Sequence, residues 1–149
     1  SHAHGLSMQE KLTASYLVKF TEHIEWPPEA FSDSVMFKMC LQANDEFVAF
    51  AQALIDEQVI EGAERKIVVI ADNSHSYCHI RFLSSEGYSL MPLSNHTLVV
   101  TAERTINAPD ASIRFYTQES KLRFEIDLIK IKQLNLTVSP DLLKLATVK

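Results

Sequence analysis

Residues 35–41 read VMFKMCL, an apolar run whose side chains favour a buried strand. A second apolar run, residues 78–83 with the sequence CHIRFL, carries the other cysteine of the chain. If the two runs are neighbouring strands of one sheet, the sulfurs of Cys40 and Cys78 can form a bridge, which needs Cα atoms within roughly 7 Å. Two buried free thiols are the alternative, because cysteine packs like a small apolar residue. A bridge would place the protein outside the reducing cytosol.

The composition is that of an ordinary folded domain. The chain has 149 residues, of which 46% are hydrophobic and 22% charged, and it contains only three glycines and five prolines. This is enough apolar material for one core, and no internal repeat is visible. We therefore expect one domain over residues 1–149, with residues 1–6 as a tail or cloning remnant.

Charge and hydropathy argue against two classes of partner. The formal net charge is −5 and the 14 Lys and Arg residues are scattered, so no footprint for a nucleic acid is visible. The longest apolar stretches fall far short of the roughly 18 residues of a membrane span, so we expect no direct membrane insertion. Residues 1–5 lack the basic and apolar regions of a signal peptide, which is expected if such a peptide was removed. The cysteines therefore carry the prediction of the compartment.

The first two thirds of the chain alternate between strand and helix patterns. Residues 7–10 read SMQE, a capping box, and apolar side chains at helical spacing follow as far as Ile24, before Pro27 and Pro28 end the helix. Further predicted elements are strands at 35–42, 67–71, 78–84 and 97–101, a helix that begins at 44 or 45 and includes 47–55, a loop at 72–76, and a short helical turn at 87–93.

The last third changes pattern. Residues 112–126 alternate between apolar and polar side chains around a turn at 118–121, as in a hairpin with one solvent-exposed face. A helix at 127–134, a strand or bend at 136–138 and a helix begun by Ser139 and Pro140 follow. We predict an α/β fold: a single three-layer domain whose mixed, mostly parallel sheet has helices on both faces and a late antiparallel hairpin.

No catalytic, metal or cofactor motif stands out. Two imidazoles and a thiol lie close together at His75, Cys78 and His79, but adjacent side chains at a strand entry point to opposite faces, so ordinary loop and edge histidines are favoured. Nucleophile elbows, glycine-rich phosphate loops and H-E-x-x-H patterns are not seen. We predict a protein that is not an enzyme and needs no cofactor or metal.

Two groups of residues are candidates for binding a partner or ligand. Trp26 and Pro27 form a rigid aromatic corner, which is either an interface contact or, as we favour, a side chain that closes the end of the core. Arg123, Glu125 and Asp127 share one strand face and could form a charged binding surface. The favoured alternative for these three is a solvated hairpin face.

Several segments, in order, resemble the family of the bacterial periplasmic regulator YfiR. The similarity runs through nearly the whole chain, with two departures. The family's glycine pair before the hairpin is replaced by residues 107–110, NAPD, and its asparagine by Asp127. The segments that carry the resemblance are 14–20 (ASYLVKF), 25–27 (EWP), 37–41 (FKMCL), 44–47 (NDEF), 78–84 (CHIRFLS), 98–101 (LVVT), 122–127 (LRFEID), 134–139 (LNLTVS) and 142–146 (LLKLA).

The resemblance implies a structure and a role. It implies a disulfide between Cys40 and Cys78, and a non-enzymatic periplasmic protein that holds an inner-membrane diguanylate cyclase of the YfiN type inactive. Release would be switched by redox state or by an outer-membrane lipoprotein, and cyclic-di-GMP would be the output. A small-molecule-sensing domain that feeds a sensor kinase or other membrane receptor is the alternative. A homodimer through exposed apolar positions of the first helix is a further expectation.

Overall fold

The computed structural model describes residues 5–31, 36–58, 66–71, 77–85 and 96–149, and the predicted elements within these ranges form. The predicted turn at 87–93 and the predicted loop at 72–76 lie outside the described residues. The helices are α1 (Met8–His23), α2 (Asp45–Glu57), α3 (Leu128–Gln133) and α4 (Pro140–Leu143), with a 3₁₀ helix at Pro28–Phe31. The strands are β1 (Ile24–Glu25), β2 (Met36–Gln42), β3 (Lys66–Ala71), β4 (Ile80–Leu83), β5 (Leu98–Thr101), β6 (Ile113–Gln118), β7 (Lys121–Ile126), β8 (Thr137–Val138) and β9 (Thr147–Val148).

Local sequence signals fix the starts of the long helices. The capping box of α1 is confirmed: the Ser7 hydroxyl accepts from the Glu10 N–H at 3.1 Å, and the Ser7 N–H donates to the Glu10 carboxylate at 2.9 Å. Helix α2 begins after Asn44, whose side-chain oxygen accepts from the Phe47 N–H at 2.8 Å. These bonds satisfy backbone donors that the first helical turn leaves without intrahelical partners.

Seven strands form one mixed sheet in the order β3-β2-β4-β5-β6-β7-β9. Every neighbouring pair is parallel except the β6–β7 hairpin, which is antiparallel. Strands β1 and β8 form a separate antiparallel pair. The predicted α/β class, the mostly parallel sheet and the late hairpin are therefore confirmed. Strands β1 and β9 were not predicted, because two-residue strands carry no periodicity.

The main core lies between one face of the sheet and the helices. Alternate residues of β2, β4, β5, β6 and β7 point to this face and pack with buried residues from all four described α-helices. The ring of Phe20 on α1 lies 5.9 Å from that of Phe115 and 5.4 Å from that of Phe124. These large rings fix how α1 sits on the hairpin.

The opposite face is covered differently in the part of the chain that the structure describes. A smaller apolar cluster joins Leu83 and Val99 of the sheet to Ile106, Ala108 and Ala111 of the loop at 102–112. The described helices pack on the first face only. Helices on both faces, the three-layer element of our prediction, therefore stay a prediction.

Candidate functional site

The site is built where the parallel strands end. In a doubly wound sheet, ligands bind at the carboxyl edge, at the point where the strand order reverses. Here β2 lies between β3 and β4, so the chain leaves β2 towards one side of the sheet, and β4, β5 and β6 continue on the other side. This topology leaves a crevice beyond the ends of β2 and β4.

A cavity of about 710 Å³ occupies this edge. It is lined by the first turns of α1 and α2, by residues that follow β2, β4 and β5, and by the turn end of the β6–β7 hairpin. Its volume lies in the range of small-molecule sites. Representative lining residues are Glu10, Asn44, Phe82, Ser84, Arg104 and Leu122.

The floor of the cavity is apolar and consists of buried aromatic rings. The rings of Phe47 on α2 and Phe82 on β4 stack with centroids 5.2 Å apart and planes 12° from parallel. Both side chains are buried, and both belong to the main core. The floor therefore forms part of the folded core itself.

Three charged side chains line the cavity, Glu10, Glu103 and Arg104, and two of them have partners in the fold. The Arg104 guanidinium lies 3.8 Å from the centroid of the Tyr116 ring and 3.6 Å from a carboxylate oxygen of Glu125. Lys149 supplies a second cation to Glu125 at 3.5 Å. The Glu10 carboxylate is held in the capping box of α1. The apolar floor and polar walls of the cavity are therefore suited to a small molecule with an apolar body and hydrogen-bonding groups.

The disulfide between Cys40 and Cys78 is present, with Cα atoms 5.9 Å apart. Cys40 lies in β2, and Cys78 lies just before the neighbouring strand β4, as the bridge requires. Both cysteines are almost fully buried, at 0% and 1% exposed, and the Arg81 guanidinium donates to the Cys78 sulfur at 3.2 Å. The predicted bridge is confirmed and lies inside the fold.

Trp26 and Pro27 lie at the opposite edge of the sheet from the cavity. The Trp26 indole N–H donates to the carbonyl of His96, just before β5, at 2.9 Å. Its ring meets that of Phe37 edge to face at 4.8 Å. Both Trp26 and Pro27 are half-buried, so the corner closes this end of the core and keeps part of its surface accessible.

The three predicted hairpin residues have separate surroundings. Arg123 is exposed. Glu125 is buried beneath Arg104 and Lys149. Asp127 begins α3, where its side chain accepts from the Lys130 N–H at 3.1 Å. Glu125 and Asp127 thus have structural partners. Of the three residues that the alternation placed on one charged face, only Arg123 is exposed.

Two cations hold the loop that lacks the family's glycine pair. The Arg114 guanidinium donates to the carbonyls of Ile106, at 2.9 Å, and Ala108, and the Lys130 ammonium donates to the carbonyl of Pro109. Neither role was predicted from the sequence. A cationic side chain on a neighbouring strand or helix gives no local signal that its partners are backbone carbonyls.

We expect Arg114→Ala to lower the free energy of unfolding by about 2 to 3 kcal/mol, because buried loop carbonyls lose charged donors. Urea denaturation measures the loss. Arg123→Ala is the matched control, since Arg123 is an exposed arginine on the partner strand, and it should change stability by less than about 0.5 kcal/mol. Equal losses in the two variants would contradict the role of Arg114 in holding the loop by its carbonyls.

The histidine and cysteine cluster at 75–79 offers no metal site in what is described. His75 lies outside the described residues, Cys78 is held in the disulfide, and both ring nitrogens of His79 have hydrogen-bond partners. Among residues whose placement is described, no three His, Cys, Asp or Glu side chains are grouped to hold a metal ion.

These features define a class: an α/β domain with a buried disulfide, an edge cavity and an aromatic corner. A sequence model of the YfiR/HmsC-like family matches residues 10–147, so the chain belongs to that family. The family is regulatory and non-catalytic, and it points to periplasmic control of a cyclic-di-GMP pathway. No curated protein matches the chain. In the described ranges, no helix has the length and apolarity needed to cross a membrane.

Proposed function

We propose that this protein is a non-enzymatic periplasmic regulator that binds and represses an inner-membrane diguanylate cyclase of the YfiN type. The family match over residues 10–147 carries the proposal. The Cys40–Cys78 disulfide supports the compartment, because structural disulfides persist in oxidising spaces such as the periplasm. Control by an outer-membrane lipoprotein and a homodimer belong to the same proposal.

We place the contact surface for the cyclase on the accessible side chains among the residues that the sequence predicted to bind a partner. Arg123 is the exposed charge of the hairpin group, and Trp26 with Pro27 offers a half-buried aromatic surface fixed by the hydrogen bond to His96. Rigid aromatic and arginine side chains are enriched among residues that dominate binding energy. Glu125 and Asp127 would act by keeping the hairpin and α3 in place.

Co-expression of this chain with a YfiN-type cyclase tests whether the chain represses the cyclase. We expect the wild-type chain, exported to the periplasm, to lower cellular cyclic-di-GMP several-fold when a YfiN-type cyclase is expressed beside it. Arg123→Glu should weaken this repression by reversing an interface charge. Lys121→Glu, an exposed charge reversal on the same strand, is the control and should retain repression. Unchanged cyclic-di-GMP with the wild-type chain would contradict the proposal, and equal repression by both variants would exclude Arg123 from the interface.

The edge cavity favours a second candidate function, a small-molecule-sensing domain that feeds a membrane receptor. Its position at the carboxyl edge of parallel strands and its apolar floor with polar walls are typical of ligand sites. In this second function, binding of a small molecule in the cavity, rather than binding of a cyclase alone, would switch the membrane receptor.

Thermal unfolding with amino acids, monosaccharides and nucleosides tests the cavity. A ligand at about 100 times its Kd should raise the Tm by roughly 5 to 10 °C. Ser84→Trp, which places an indole in the cavity wall, should abolish that shift. Ser85→Trp, at the next exposed position, is outside the cavity lining and should retain it. A shift that survives Ser84→Trp would place the ligand elsewhere.

A further inference from the structure

The ring of His79 is enclosed by aromatic side chains. It is 3% exposed and contacts both Phe31 and Phe37, with ring centroids at 4.5 and 4.9 Å and planes within 21° of parallel, and the two phenyl centroids are 6.4 Å from each other. Tyr77 meets it edge to face at 4.9 Å. The ring therefore joins the 3₁₀ helix Pro28–Phe31 to β2 and to the segment before β4.

Two hydrogen bonds define the protonation state of this ring. The backbone N–H of Lys38 donates to Nδ1 at 3.0 Å, so Nδ1 must carry a lone pair. Nε2 lies 2.8 Å from the carbonyl oxygen of Ala30, which can only accept, so Nε2 must carry the proton. Together these bonds require the neutral imidazole with its proton on Nε2.

We propose that His79 is an acid-sensitive latch: the neutral ring holds the Trp26 corner, formed by Trp26 and Pro27, in place, and the protonated ring releases it. When Nδ1 takes up a proton from water, its lone pair is lost and the Lys38 N–H faces an N–H instead of an acceptor. The new charge is also buried against the rings of Phe31 and Phe37, and this apolar environment disfavours it. The strain acts on Phe37, whose ring supports Trp26 at 4.8 Å, and on the 3₁₀ helix that follows Trp26.

The described elements next to the ring carry several ionisable groups. Lys38 of β2 binds the ring through its backbone N–H, and the Arg81 guanidinium of β4 donates to the Cys78 sulfur. Glu29, the carboxylate of the 3₁₀ helix, is exposed, and Tyr77 contributes a phenol. The adjacent Cys78 is held in the disulfide and does not titrate.

The sign of the pH dependence follows from proton binding. A histidine in the unfolded chain takes up its proton near pH 6.5, whereas the native ring must stay neutral to keep both bonds. Below that pH the unfolded state binds more protons than the native state, so stability falls as pH falls. The latch therefore stays closed at neutral pH, and it opens on acidification to a pH at which the buried ring itself takes up a proton.

Trp26 is the only tryptophan of the chain, so its fluorescence reports the corner directly. On titration from about pH 8 to about pH 5, we expect a red shift of the emission with unchanged far-ultraviolet circular dichroism. His79→Gln should remove the transition, because an amide can donate and accept but does not titrate. His96→Gln is the matched control: the His96 carbonyl binds the indole through the backbone, and a glutamine amide can replace the ring as donor to the Leu134 carbonyl without titrating, so the transition should be retained.

Nitrogen NMR of the wild-type chain provides a second test that does not depend on a variant folding. At neutral pH, Nδ1 of His79 should show the chemical shift of an unprotonated nitrogen, and it should protonate together with the Trp26 emission change. A flat emission curve, a transition that persists in His79→Gln, or protonation of His79 without any change at Trp26 would overturn the latch. None of these outcomes depends on the presence of a cyclase.

Discussion

Replacing Cys40 and Cys78 together by alanine is expected to lower the free energy of unfolding by about 4 kcal/mol, the chain-entropy value for a bridge that closes a loop of this length. The two cysteines are 38 residues apart in sequence and join neighbouring strands. In a chain of this size the loss corresponds to a Tm lower by roughly 8 to 16 °C. Thermal and urea unfolding of the two proteins measure it.

The wild-type chain with reductant is the control for the alanine pair. Both sulfurs are buried, so we expect a reductant to act slowly on the native protein and quickly after unfolding. Once reduced, the wild type should lose nearly as much stability as the double variant. A double variant within about 1 kcal/mol of the oxidised protein would show that the bridge adds little to stability.

Phe20→Ala is expected to cost about 3 to 5 kcal/mol, because it removes a fully buried ring from the centre of the core. The ring contacts Tyr16 on the same helix and both Phe115 and Phe124 of the hairpin. Its loss leaves a cavity between α1 and the sheet that neighbouring aromatic rings cannot fill without leaving their own contacts. Urea denaturation gives the value.

Met8→Ala is the matched control for Phe20→Ala. Met8 lies on the same helix, but it is 68% exposed, so its truncation should change stability by less than about 0.5 kcal/mol. Phe20→Leu should recover a large part of the loss by refilling the space with an apolar side chain. If Met8→Ala and Phe20→Ala lowered the free energy of unfolding equally, the contacts of the Phe20 ring with the hairpin would not stabilise the fold.

The site could be predicted only in part. The cysteines lie in apolar runs, so their bridge was among the alternatives read from the residues, and the family resemblance then favoured it. The cavity gave no such signal, because its walls come from chain segments far apart in sequence, such as Glu10, Ser84 and Arg104. The role of His79 was also missed. Its sequence neighbours do not show that Phe31 and Phe37 enclose it.

The sequence by itself determined the longer helices and strands of this protein, but not the two-residue strands β1 and β9. Capping residues at Ser7 and Asn44, prolines after α1 and the period of apolar side chains act over a few residues, so they can be read without the fold. Only the tertiary structure decided that β2 lies between β3 and β4, that Arg114 and Lys130 hold a loop by its carbonyls, and that His79 must stay neutral. Each of these depends on which distant groups meet when the chain closes, and local sequence does not specify those distances.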